Sequence, residues 1–303
     1  MDTKQKNTLI AVLIAGALAS LVVFLISKFK NKKTGYSGLT PGKKMEIDIN
    51  EAKSFNQQYF KTLSSNGTMS ANSKSFLDEM INEGINNIYT QAGMMAVVSK
   101  ESNFILKREN LDYTSDQLIK VFDLPIDVAK NIAHKPELIA NTVYMPPHNK
   151  QLGNTSPGDG WLFRGGSYNQ ITGRYAYDKY GKKIGVDLVS NPDKINDPIV
   201  AAKVTIAFFK DGLNMLKTAP YKIINPDGTI QKQGSNRLAD LYNNPTGDIN
   251  GFKNEMDAAA AFYNVNAGAG QTIKFLMADV TGGRALCMAR ANGFVAYINS
   301  IKK

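Results

Sequence analysis

Two glutamates and one block of small and polar residues are where this chain could do chemistry. Glu101 closes an apolar helical run, and Glu109 follows eight residues later. Two carboxyls can divide acid–base work: one, protonated, donates to a leaving oxygen, while the other, ionised, draws a proton from water. Glu101, at the end of an apolar helix, has a rigid mount in low-polarity surroundings, which favour the neutral acid. Eight extended residues reach up to about 26 Å, so the chain must fold back for both carboxyls to serve one centre. Asn103 is a residue type that tolerates such a turn. Downstream, Gly165-Gly166-Ser167-Tyr168-Asn169-Gln170-Ile171-Thr172 gathers amide and hydroxyl side chains on a glycine-loosened backbone.

The elements that would carry these residues read as helices. Asn72 or Ser73 is suited to cap a helix through Phe76, Met80 and Ile81. A second helix covers roughly Ile88 to Lys100, with Ala92, Met95, Ala96 and Val98 at core spacing. Thr114 and Gln117 form a capping-box pair. Pro136 fits the first turn of a helix running to Tyr144, and Asp197-Pro198 starts another that should stop near Gly212. The exception is Tyr221 to Gln233, where Asn225-Pro226-Asp227-Gly228 separates two β-rich runs and predicts a hairpin. A mainly α fold with one small hairpin is therefore expected. Residues 51–69 are polar and weakly patterned.

Composition removes several classes of function. The single cysteine, Cys287, excludes an intramolecular disulfide framework and a cysteine zinc cage, and its apolar neighbours suit a buried thiol. His134 and His148 are too few and too scattered for a catalytic metal, so no metal or cofactor is expected. Half of the net charge of +10 lies in residues 1–50, where eight lysines face Asp2, Glu46 and Asp48. The remainder is mildly basic, which suits an anionic polymer. No basic stripe interleaved with aromatics points to nucleic acid.

Leu9 to Ile26 is an uninterrupted apolar run that nearly spans a bilayer core of about 30 Å. Ala17-Leu18-Ala19 resembles a signal cleavage site, yet the run continues through Ile26, which favours an uncleaved anchor. The division is thus a short tail (1–7), a transmembrane anchor (8–27), a flexible basic linker (28–50) and a catalytic domain (51–303). Lys28, Lys30, Lys32 and Lys33 outnumber Lys4 and Lys6, which would hold the large domain on the cytoplasmic side.

Gly158-Asp159-Gly160-Trp161-Leu162-Phe163-Arg164-Gly165, then Gln170-Ile171-Thr172-Gly173-Arg174, together with Glu101-Ser102 and Glu109-Asn110-Leu111-Asp112-Tyr113, resemble family 19 glycoside hydrolases of the chitinase and endolysin type, in bacterial or phage form. The resemblance implies a lysozyme-like, α-rich bilobal domain and hydrolysis of β-1,4-linked amino sugars with inversion. By that match Glu101 would be the general acid and Glu109 the general base. Gln170 would hydrogen-bond a sugar, Thr172 would hold the attacking water with Glu109, and Tyr168 would offer its ring or hydroxyl to substrate. Asn266, in a loosened form of the family's Asn-Gly-Gly loop, would be a further substrate ligand. Trp161 matches a family aromatic, with core packing and sugar stacking both open. Arg174 reads as structural, pairing with a nearby carboxylate. The chain departs from the family at Lys100 (usually His), Asn103 (two glycines), Gly166 (Arg) and Ala176 (Asn), and the Glu101–Glu109 connection is shorter by one residue. Peptidoglycan is the implied substrate, with chitin as its rival. A lytic transglycosylase, needing only Glu101, and a wall-binding protein without activity are the competing classes. A catalytic domain acting on a wall must face it, which disagrees with the flanking lysines unless a phage or secretion machine delivers it.

Overall fold

The computed structural model describes residues 56–224, 229–267 and 283–302. They are mainly helical with one two-stranded antiparallel sheet. Residues 9–26, the basic linker and the 225–228 turn lie outside the described residues. Among those described, no helix is long and apolar enough to cross a membrane. The chain divides into two compact units, whose described parts are 106–207 in one and 56–105 with 208–302 in the other.

The 106–207 unit is built from short helices on one apolar cluster. Helices α3 (Ser115–Phe122), α4 (Ile126–Ile132) and α5 (Pro136–Val143) contribute Leu118, Ala129, Ile132, Ile139, Ala140 and Val143, joined by Leu111, Tyr113 and Tyr144. Thr114 accepts from the Gln117 N–H while Gln117 accepts from the Thr114 N–H, so the expected capping box is complete. Pro136 occupies the first turn of α5, where its missing N–H costs nothing, and Tyr144 is the C-cap. A one-turn helix, α6 (Asp159–Leu162), lies on α5. A side chain on Gly160 would collide with the Ala140 carbonyl, so only glycine allows that approach.

Asp159 then fixes the return of the chain. Its carboxylate is fully buried and accepts from Arg174 Nη2 (2.6 Å) and Nε (2.8 Å) and from the N–H groups of Thr155 and Ser156. Burial pushes this carboxyl up, but the Arg174 and backbone hydrogen bonds outweigh it and hold it below the usual range. Arg174, the first residue of α7 (Arg174–Ile184), is thus the structural arginine expected from the sequence.

The second unit centres on α2 (Ile88–Ser102), in which every residue from Thr90 to Ser99 is buried. It packs against α10 (Glu255–Asn266) and α11 (Gly283–Ile301). The close approach to α10 depends on small residues: a Cβ on Gly93 would lie 2.7 Å from the Cβ of Ala258. Strands β1 (Tyr221–Ile224) and β2 (Ile230–Gly234) form the expected hairpin, followed by α9 (Arg237–Tyr242).

Two boundaries differ from expectation. Helix α1 (Gly67–Asn82) starts six residues early, capped by Asn66 through its side chain to the Met69 N–H. Asn72 and Ser73 lie buried inside it, with Asn72 Nδ2 donating to the Phe104 carbonyl at 2.7 Å. Helix α8 (Pro198–Leu216) runs past Gly212, where the absent side chain makes room for Val265 rather than for a helix stop.

The Asp159–Arg174 clamp sets a stability test. Asp159→Asn should lower the unfolding free energy near neutral pH by about 3 kcal/mol, the scale for breaking a buried pair. Because the folded carboxyl is held below its ordinary value, the wild-type advantage is present above about pH 4 and is lost as pH falls through the folded value. Urea unfolding of both proteins across that range measures it; equal stability at pH 7 would contradict the clamp.

Candidate active site

Helix α2 ends at Ser102, and Asn103 takes a left-handed conformation (φ 51°, ψ 32°) as its C-cap. Phe104 is also left-handed, and the Ile105 N–H returns to the Ser102 carbonyl. The turn expected at Asn103 is therefore present. Glu101 itself does not have purely apolar surroundings. Its Oε1 is 2.7 Å from the Lys100 ammonium, both side chains are 9% exposed, and Lys100 also lies 5.3 Å from the Tyr263 ring centre. Asn266, the last residue of α10, belongs to the same unit and is buried.

Glu109 belongs to the 106–207 unit and is buried there. Its N–H donates to the Gly165 carbonyl at 2.9 Å, and the Gly165 N–H returns a bond to Oε2 at 3.3 Å. The hydroxyl of Tyr144 stands 2.9 Å from both carboxyl oxygens. Burial pushes the Glu109 carboxyl up to about 7, against the smaller opposing pull of Tyr144, the Gly165 N–H, Arg164 and Arg108. Burial and the adjacent Glu109 raise the Tyr144 phenol far above its ordinary value, so it stays a donor.

The strip from Gly165 to Thr172 is a tight reversal closed by a bridge between Gly166 and Ile171, with N···O distances of 3.1 and 2.7 Å. Ser167 and Gln170 adopt positive φ within it. A Cβ on Gly165 would sit 2.6 Å from Gln170 Oε1 and 3.2 Å from Glu109 Oε2, so glycine brings those two side chains to one point. Gln170 is half-buried and its amide makes only long bonds, 3.4 Å to the carbonyls of Lys107 and Ser167. The Gln170 amide thus lies beside the Glu109 carboxyl.

Other expected ligands are differently placed. The Thr172 hydroxyl is buried and donates to the Gln170 carbonyl at 3.0 Å, so it holds the strip rather than standing free for a water. Tyr168 is fully buried, with no ring face for a sugar. Trp161 packs against the apolar cluster, and the Arg164 guanidinium covers its ring at 3.6 Å, which supports packing over stacking. At Gly166, a Cβ would lie 2.6 Å from Ile195 Cγ2 and 3.1 Å from the Tyr177 hydroxyl, so the place of the family arginine is filled.

Two residues that sequence reasoning did not single out matter here. Tyr144 lies 35 residues from Glu109 and was legible only as a helix end. Arg108 donates to the carbonyls of Pro192, Leu162 and Arg164 and to Asp193 Oδ1 at 2.7 Å, tying two loops beside Glu109. Its place immediately before Glu109 was the available signal. Among the described residues, no cluster of histidine, cysteine or acidic side chains could hold a metal.

Comparison with known proteins bears on this geometry. Residues 134–251 match the glycoside hydrolase family 19 model, described as class I chitinase. A Haemophilus influenzae (strain Rd) protein described as a glycosyl hydrolase family 19 domain-containing protein is 39% identical over 112 residues, 35% of this chain and 54% of the relative. The chain thus spans about half the length of that curated relative. Residues 134–251 are thus similar to a family 19 glycoside hydrolase domain. The family match includes Tyr144, Trp161 and the Gly165–Thr172 strip, while Glu101 and Glu109 lie outside it on its N-terminal side.

The raised Glu109 carboxyl predicts a stability change of definite sign. A carboxyl raised in the folded state favours folding below its unfolded value, here 4.5, and loses that contribution as pH rises through about 7. Glu109→Gln should therefore gain on wild type by roughly 3 kcal/mol between pH 4.5 and 8. A constant difference across that range, read by thermal or urea unfolding, would show that Glu109 is not buried as described.

Proposed function

We propose that this chain is a membrane-anchored peptidoglycan hydrolase that cleaves β-1,4 bonds between amino sugars by an inverting two-glutamate mechanism. The observation that carries the reading is Glu109, a buried carboxyl poised near neutrality against a glycine–glutamine strip of the family 19 domain. Glu101 donates its proton to the glycosidic oxygen as the C–O bond breaks. Glu109 takes a proton from a water whose oxygen bonds to the anomeric carbon from the opposite face. Gln170, with its loosely held amide, hydrogen-bonds a sugar. Asn266 is a second ligand for substrate.

The 51–303 region acts as the catalytic domain, residues 28–50 as a solvated tether and residues 8–27 as the anchor. The apolar run supports the anchor, and the anchor with the mildly basic domain favours peptidoglycan, a wall polymer close to a membrane. Chitin has its own support, since the matched family model is described by that substrate's hydrolase.

Four outcomes are expected. Full-length protein should digest purified peptidoglycan to products with reducing-end sugars by mass spectrometry. Faster cleavage of chitin oligomers would reassign the substrate, anhydro ends would mean a transglycosylase, and no product would leave a binding protein. Glu101→Gln, which keeps the shape but cannot donate, should lose about 10²–10⁴-fold in turnover; more than a tenth of wild-type activity would remove Glu101 from the mechanism. A base must be ionised, so turnover should fall about tenfold per pH unit below the Glu109 value near 7. Activity flat from pH 5 to 8 would contradict that role. The full-length protein should also sediment with membranes and leave them only with detergent; release by salt alone would argue against a spanning anchor.

A further inference from the structure

The Glu109 carboxyl is only 7% exposed, and its two oxygens are not equivalent. Among the described residues, Oε2 accepts from both Tyr144 and the Gly165 N–H, whereas Oε1 accepts from Tyr144. Tyr144 cannot drift from this place. Its ring belongs to the apolar cluster, its backbone closes α5 through the Ala140 carbonyl, and its own carbonyl accepts from buried Asn154 Nδ2 at 2.8 Å. Asn154 Oδ1 in turn accepts from the Arg174 N–H, which ties Tyr144 to the Asp159–Arg174 clamp. We propose that Tyr144 is a positioning residue for the base: its hydroxyl, shared between the two oxygens, fixes the plane of the Glu109 carboxylate and leaves Oε1 as the oxygen that receives the proton of the attacking water.

The inference rests on Glu109 acting as the base, and it adds which oxygen works and what aims it. Among the described residues, the groups facing the Glu109 carboxyl include Tyr144, Arg164, Arg108, Tyr113 and Tyr177. Of these, Tyr144 hydrogen-bonds both carboxyl oxygens. It therefore controls both the aim of Glu109 and the ease with which it ionises. Removing the hydroxyl alone leaves the ring in the cluster and takes away one donor that favours the charged form.

The test is Tyr144→Phe in the full-length chain with isotope-labelled glutamate carboxyls, assigned by comparison with Glu109→Gln. The Glu109 titration should move to higher pH, the acid limb of turnover should move with it, and kcat should fall about 10- to 100-fold with KM little changed. An unmoved titration, or a kcat equal to wild type, would overturn the proposal. If wild type cleaves neither peptidoglycan nor chitin, the glycosidase reading fails, and the titration still shows whether Tyr144 governs Glu109. If Tyr144→Phe does not fold, the phenolic carbon of Tyr144 in wild type decides. It should step at the pH where Glu109 titrates; a flat signal there would sink the idea.

Discussion

A carboxyl taken out of water must be met by donors or give up its charge, and the 106–207 unit is organised around that constraint. Leaving an ion buried costs several kcal/mol, and compensation depends on donors held by the rest of the fold. At Glu109 the compensation is partial. Tyr144 and the Gly165 N–H bind the carboxyl, while burial still leaves it near neutrality. Each donor is held in place by a distinct device. The Tyr144 ring is packed into the short-helix cluster, and Gly165 is presented by the bridge between Gly166 and Ile171. The Asp159–Arg174 clamp fixes the ends of the segment that carries the bridge.

The same packing explains how this chain departs from the family 19 pattern it resembles without leaving open gaps. Ile195 and the Tyr177 hydroxyl occupy the space beside Gly166, so the missing arginine is a filled position rather than a hole. Ala176 is buried on α7. Arg164 lies on the Trp161 ring, and its carbonyl accepts from the Tyr177 hydroxyl at 2.7 Å. Aromatic residues that suggested sugar contacts are thereby absorbed into structure, which leaves Gln170 as the polar group beside Glu109 with the least internal commitment. Lys100 does the corresponding thing for Glu101, giving it an ionic partner within its own unit.

What could be read in the sequence was local. The Thr114–Gln117 capping box, Pro136 at a first turn and the left-handed Asn103 after α2 each depend on a few neighbouring residues, and each was legible. The start of α1 was missed because Asn66 is as good a cap as Asn72 and lies in a stretch with little apolar pattern. Gly212 looked like a helix end, but its meaning is set by Val265, far along the chain. The site divides in the same way. Glu101, Glu109 and Gln170 announced themselves through residue type and motif. The donors on Glu109 come from 35 and 56 residues away, and no spacing rule reports such partners. Tyr168 and Thr172 are buried, a tertiary property that residue type and spacing do not report.

The central claim is that Glu109 activates water on the face opposite the bond being broken. The configuration of the newly formed sugar end reads this directly. Proton NMR of an oligosaccharide digest, recorded before mutarotation sets in, should show the α-anomer first from a β-linked substrate. A β-anomer appearing first would require a covalent or substrate-assisted intermediate and would contradict the assignment of Glu109 as the base.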